Sequence, residues 1–225
     1  DGDEEGGEPK MPKSLPIGLG RQVSHEVMDK NLLAEEKMRL LREASEVLRV
    51  PIRVAGQLLL KCKWDPNALV ERYVAEGDKM LEDAGISRDA VAVERDDPDE
   101  EIECEACFDD VPASKMFALA CGHEFCKTCW EGHLSEAVKE GPVCLETTTC
   151  MNAECNEVVD EGSWAQLGDE DAYATYNRFL LRSFIDLQPS MLWCPNPSGC
   201  DRIVKYSGLR SDLQCTCGYR FCFNC

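Results

Sequence analysis

The sequence opens without a signal-like segment and holds no apolar run long enough to cross a membrane, so neither a secreted scaffold nor a membrane-spanning chain is expected. Basic residues are scarce as well. Lysine and arginine number 24 against 43 aspartates and glutamates, a formal net charge of -19, and phosphate backbones are bound by replacing released counterions with lysine and arginine. Nucleic acid is therefore a poor partner, and protein is the expected one. There is also little to fill a large core. At 225 residues and 44% hydrophobic, the chain should form several small modules in which metal substitutes for apolar burial. It begins at Asp1 rather than Met, which leads us to expect an upstream piece.

What it does have is 15 cysteines, and their spacing carries the argument. Between Cys104 and Cys155 the order is Cys104-x2-Cys107, Cys121-x-His123, Cys126-x2-Cys129 and Cys150-x4-Cys155. A Cys-x2-Cys knuckle lets two thiolates reach one ion from a single tight turn, and closed structural zinc sites take four sulfur or nitrogen ligands. Seven thiols and one imidazole therefore make two zinc sites. The pairs should interleave, with Cys104, Cys107, Cys126 and Cys129 on one ion and Cys121, His123, Cys150 and Cys155 on the other. A zinc hydrolase is disfavoured, because catalytic zinc keeps an open position and favours histidine and carboxylate ligands. This cross-brace resembles a RING domain; a PHD finger would carry its histidine fifth, not fourth.

Upstream, residues 1–23 are acidic and rich in Gly and Pro, and read as disordered. A helical module is expected over 24–87. Ser24 is the candidate cap for a first helix carrying Val27, Leu32, Leu33, Met38, Leu41 and Leu48. Pro51 restarts the chain into a second helix ending near Cys62, and Asp65-Pro66 is a start signal for a third with Leu69, Val70, Tyr73 and Val74. Met80 and Leu81 mark a short fourth helix before Gly85. With its Trp64 corner this module resembles the UBA-like domain of Ariadne-family proteins, although the Met-Gly-Phe-type loop common in ubiquitin-binding UBA domains is absent. An acidic linker follows at 88–102, where like charges extend the chain. The RING-type domain is expected over 103–160.

A connecting helix is expected over 161–190. Asp169, Glu170 and Asp171 sit where acids favour a helix start, Tyr173, Tyr176, Leu180 and Phe184 share one face, and Pro189 stops the run. A second zinc module occupies 191–225. Cys194, Cys200, Cys215 and Cys217 can close one site, while Cys222 and Cys225 form only half of another. A RING-like block, a helix, then Trp193-Cys194-Pro195 and Cys215-Thr216-Cys217-Gly218 with Cys222-Phe223-Asn224-Cys225 is similar to a RING-between-RING ubiquitin-protein ligase of the Ariadne type, over about residues 48–225. The fold class is thus a series of small zinc-stabilised α+β modules: UBA-like, RING, connecting helix and a partial in-between-RING (IBR) domain.

The resemblance implies a function. The first RING would recruit a ubiquitin-charged conjugating enzyme, ubiquitin would pass to a cysteine of a second RING-type domain, and a substrate lysine would then take it. No candidate for that cysteine is evident in this chain. Cys62 reads as core, and Cys144, near Glu140 and Glu146 with no adjacent histidine, is not activated as a nucleophile, reading instead as a surface thiol or an alternative ligand to Cys150. His25 and His133 read as satisfied or solvated. The resemblance places the conjugating-enzyme contact at Ala106 and Trp130. Ala106 stands where a bulky aliphatic is usual, a loss of about 2 kcal/mol at about 0.8 kcal/mol per buried CH₂, which Trp130 would offset. Asn156 replaces the arginine by which one-step RING ligases hold charged ubiquitin. A one-step ligase and a zinc-stabilised scaffold without ligase activity are the alternatives. The resemblance also implies a neddylated cullin–RING complex as partner and a cytoplasmic location, with the nucleus second.

Overall fold

The computed structural model describes residues 25–93, 97–208 and 212–224. The expected disorder of 1–23, the Ser24 cap, part of the acidic linker and Cys225 fall outside these residues.

The first described residues form a strand, β1 (His25–Met28), and not the helix expected to follow Ser24. The helix α1 (Lys30–Leu48) starts five residues later at Asp29, whose carboxylate accepts hydrogen bonds from the Asn31 and Leu32 amides at 3.0 Å each. Val27 therefore belongs to the strand. The core face of α1 is Leu33, Lys37, Leu41, Ala44 and Leu48, a spacing of three to four residues that puts all five on one stripe. The neighbouring Leu32 is left exposed by the same geometry.

Three further helices follow: α2 (Ile52–Lys61), α3 (Pro66–Glu76) and α4 (Asp78–Ala84). The Asp65-Pro66 signal acts as expected, with Asp65 accepting from the Asn67 and Ala68 amides. The turn between α2 and α3 holds Lys63 and Trp64 at φ 54° and 58°, a left-handed backbone that side chains rarely adopt. It swings Trp64 inward, where its ring stands edge-on to Phe184 at 5.1 Å and its Nε1 donates to Ser183 Oγ at 3.1 Å. Burial of an indole outweighs the backbone cost. Val74, expected on the inner stripe of α3, lies instead on the outside, leaving Leu69 as that helix's buried residue.

The next region is built from very short pieces. β2 (Glu101–Glu103) pairs with β3 (Asp110–Pro112), and β4 (Met116–Ala118) with β5 (Glu124–Cys126), so the end of the expected acidic linker is already one arm of a hairpin. The helix α5 (Lys127–Ala137) and the single turn α6 (Cys144–Thr147) complete it. The expected connecting helix is two helices, α7 (Glu161–Leu167) and α8 (Glu170–Asp186), because Asp160 and Asp169 each cap one. Trp164 of α7 stacks on Tyr176 of α8 at 4.4 Å, which folds the two against each other. Finally β6 (Met191–Trp193), β7 (Ile203–Tyr206), β8 (Asp212–Gln214) and β9 (Arg220–Cys222) form the last module.

β1 does not stay with its own helices. It pairs antiparallel with β7, His25 opposite Tyr206 and Met28 opposite Ile203, making the sheet β1-β7-β6. Glu36 of α1 reaches the same strand through Lys205, and Arg39, then Lys205, hold its carboxyl down at about 2 against the effect of burial. A second tie is nearly buried: Lys37 Nζ meets both carboxylate oxygens of Glu161 at 2.6 and 2.7 Å, two charge-assisted bonds that offset the cost of removing the ammonium from water. One buried apolar cluster runs from Leu33 through Trp64, Trp130 and Trp164 to Ile203. Helical module, zinc region and last module share it.

Because Trp64 sits at the junction of α2 and α8, Trp64→Ala should lower stability by about 3–5 kcal/mol. Chemical denaturation at fixed zinc would measure this.

Candidate metal centres

Three ligand clusters assemble among the described residues. Cys104, Cys107, Cys126 and Cys129 meet in one; Cys121, His123, Cys150 and Cys155 in a second; Cys194, Cys200, Cys215 and Cys217 in a third, the ligand atoms of each lying within 4.8 Å of one another. The interleaving expected from the spacing is therefore the observed arrangement. Sulfur–sulfur distances of 4.0 Å (Cys104–Cys129, Cys107–Cys126), 3.7 Å (Cys194–Cys217) and 3.9 Å (Cys200–Cys215) match the edge of about 3.8 Å that a tetrahedron with Zn–S bonds of about 2.3 Å requires.

The first cluster is built by two knuckles. In the first, the Phe108 amide returns to the Cys104 carbonyl at 2.7 Å, and the Cys104 amide to the Asp109 carbonyl at 2.9 Å. In the second, β5 runs into α5, so the helix N-terminus presents Cys126 and Cys129, with the Cys129 amide donating to Cys126 Sγ. In the second cluster Gly122 takes φ +84° between Cys121 and His123, a conformation that turns both side chains to one point and suits glycine. His123 Nδ1 is buried without a hydrogen-bond partner. A buried imidazole nitrogen left without a hydrogen-bond partner beside three thiols fits a metal ligand. The third cluster hangs between β6 and the β8–β9 hairpin, with the Cys194 amide bonded to the Arg202 carbonyl and the Cys215 amide to the Tyr219 carbonyl.

The thiols differ in acidity. Burial would raise Cys104, but amides of Cys126, Ala106 and Cys107 bring it down to about 6. The Tyr219 amide and then Asn196 bring Cys217 to about 6. Burial, with neighbouring sulfurs, pushes Cys121 and Cys194 up to about 12. The first and third clusters are thus each ready to hold one thiolate, while burial and crowding keep protons on Cys121, Cys150 and Cys194 until a cation compensates.

Comparison with known proteins agrees. The family model for the C3HC4-type RING zinc finger matches residues 104–155, and that for the IBR domain, a half RING-finger domain, matches 174–225, starting within α8. The probable E3 ubiquitin-protein ligase rbrA of Dictyostelium discoideum is 33% identical over 217 residues, 92% of this chain and 40% of that protein. The probable E3 ubiquitin-protein ligase ARI7 of Arabidopsis thaliana is 33% identical over 196 residues, 86% of this chain and 34% of its own length, and ARI2 of the same plant is 29% identical over 224 residues, 94% and 37%. With a RING domain followed by an IBR domain, the chain is similar to RING-between-RING proteins of the Ariadne type. It spans between about a third and two fifths of the length of these relatives.

Zinc is the cofactor of this chain, held as a structural ion. Two cysteines outside the clusters, Cys62 and Cys144, are inert by position. Cys62 is buried at the end of α2, with Arg72 Nη1 3.9 Å from its sulfur. Cys144 is 1% exposed, and burial, then Glu140, push its thiol up to about 11. It is neither a surface thiol nor a member of the second cluster, which Cys150 completes. His25 Nε2 lies 2.8 Å from the Gln214 carbonyl and His133 Nε2 3.0 Å from the Thr149 carbonyl, so both are satisfied. Cys222 is the last residue of β9.

Of the two expected contact residues, Ala106 is exposed on the first knuckle. Trp130 is not a contact residue. It is fully buried on the inner face of α5 one turn before Leu134, edge-on to Phe125, with Nε1 donating to the Phe117 carbonyl at 3.0 Å. The sequence reading missed Phe108, 74% exposed at φ 62° beside Ala106. Its signal was an aromatic directly after a knuckle cysteine and inside a run of acids.

Two outcomes check this site. Trp130→Ala should cost the RING region about 3–5 kcal/mol of stability, seen as unfolding at lower denaturant, and not as a selective loss of partner binding. Loading metal-free protein at neutral pH should release at least one proton per zinc at the second and third clusters, because Cys121 and Cys194 must ionise. Affinity should therefore fall as pH is lowered; a pH indicator in weak buffer measures the release.

Proposed function

We propose that this chain is the part of an E3 ubiquitin-protein ligase that recruits a ubiquitin-charged conjugating enzyme, for transfer of ubiquitin to a cysteine outside this chain and then to a substrate lysine. The observation that carries the reading is the order of the sites, a RING cross-brace, α8, then an IBR cluster, in a chain similar to proteins named as probable E3 ubiquitin-protein ligases. Zinc held in these clusters would engage their thiolates, and the buried Cys144 and Cys62 offer no nucleophile. Attack on a thioester needs an accessible thiolate. The helical module α1–α4 is taken as UBA-like, and a neddylated cullin–RING complex as a further partner.

The docking surface is proposed around the first knuckle, with Phe108 in the anchoring role first given to Trp130. An exposed aromatic beside Ala106 supplies the apolar area that alanine lacks. A scaffold without ligase activity stays in view because Ala106 is small, and a one-step RING ligase is disfavoured by Asn156. The cytoplasm, with the nucleus second, is the proposed location.

Two measurements test this. Phe108→Ala should weaken capture of a charged conjugating enzyme roughly tenfold or more, and Ala106→Ile should strengthen it by up to about tenfold, the scale of one buried apolar side chain. Unchanged affinity in both would move the surface elsewhere. Incubated with charged enzyme, this chain should form no reductant-sensitive ubiquitin adduct, while a form extended at its C-terminus, activated if necessary, should form one; an adduct here that Cys144→Ser abolishes would overturn the assignment.

A further inference from the structure

The segment that ends the helical module touches both limbs of the second zinc cluster. Gly85 lies at φ +66°, and its carbonyl accepts from the Val158 amide at 2.8 Å. A β-carbon there would stand 2.1 Å from the Asn156 carbonyl oxygen, a backbone atom with no room to yield. Two residues on, the Ser87 amide and hydroxyl donate to Glu157 Oε2 at 2.9 and 2.6 Å, and Glu157 is buried. The carbonyl of that same Glu157 accepts from the amide of the ligand Cys150 at 2.8 Å. Residues 85–87 thus hold the stretch just after ligand Cys155 and, through Glu157, the backbone of Cys150.

The other limb is gripped by Val91. Its amide donates to the Ala120 carbonyl at 2.9 Å, and its side chain packs over Gly122, where an added β-carbon would lie 2.9 Å from Val91 Cγ1. Ala120 and Gly122 flank Cys121, and Gly122 precedes His123. All four ligands of this cluster therefore have neighbouring backbone held by one seven-residue segment.

We infer that residues 85–91 are a clamp on the second zinc site, with Gly85, Ser87 and Val91 as positioning residues that make folding of the helical module and retention of that one ion a single event. A ligand set held by its own loops alone would open whenever a loop frays. Here opening requires breaking the segment's contacts as well, so the ion's departure is slowed by the stability of α1–α4. The inference rests on the second cluster holding zinc and is independent of the ligase reading.

The test uses the whole zinc-loaded chain and follows metal transfer to a colorimetric chelator. Cobalt-substituted protein is run in parallel, because ligand-field bands separate a site with a histidine ligand from sites made of cysteine alone. In Ser87→Ala one ion of three, the one held by His123, should leave about tenfold faster, the size of one hydrogen bond to a carboxylate. Gly85→Ala should have a larger effect at the same site; if it fails to fold, Ser87→Ala decides. Release at the wild-type rate in folded Ser87→Ala, or equal acceleration of all three ions, would overturn the clamp.

Discussion

Four thiol or imidazole groups brought to one point, three times over, is the constraint on which the rest of this structure depends. Among the described residues the strands around these points are three or four residues long, and three of the four sheets are two-stranded ribbons. Such ribbons have no independent stability in water. The ion replaces the core they lack, contributing about 10–16 kcal/mol of apparent folding free energy per structural site. The knuckles are accordingly closely bonded turns: amide to carbonyl and amide to sulfur bonds brace each first-cluster knuckle.

Around this frame the chain is tied together by means other than zinc. A shared apolar core threads the helical module, the RING region and α7–α8, and the three buried tryptophans Trp64, Trp130 and Trp164 each lie within a different part of it. Polar ties are placed at the joints: Lys37 with Glu161, Glu36 with Lys205, Ser87 with Glu157. Each joins elements more than sixty residues apart in sequence. With β1 completing the last sheet, the N-terminal segment and the IBR region are bound to each other as well as to the RING. Recruitment on the first knuckle would therefore occur on a body whose parts are mechanically connected.

Local chemistry was the legible part. Asp65-Pro66 and Asp169 announce helix starts because the cap is a contact of a side chain with its own next residues, and the cysteine pairs announce turns for the same reason. Where competing local signals existed, the reading erred. Ser24 was read as a cap, but Asp29 is a cap in the right place, and the residues between are claimed by a strand partner about 180 residues away. The run 161–190 reads as one helix from its apolar face, although Asp160 offers a cap of its own ahead of Asp169. Trp130 was assigned outward by family resemblance, whereas its place one turn from Leu134 points inward.

The sequence by itself determined which residues meet at each metal and in what order the modules follow, since ligand identity and spacing are local and metal chemistry admits few solutions. Only the tertiary structure decided what lies on the surface and what is buried between modules. Phe108 and Trp130 are both aromatics next to knuckle cysteines, and adjacency to the cysteine alone does not separate the exposed one from the buried one. Likewise Gly85 reads as an ordinary helix stop until the Asn156 carbonyl stands against it. Such facts depend on pairings across long stretches of chain, and long-range packing is the information that periodicity and motif do not carry.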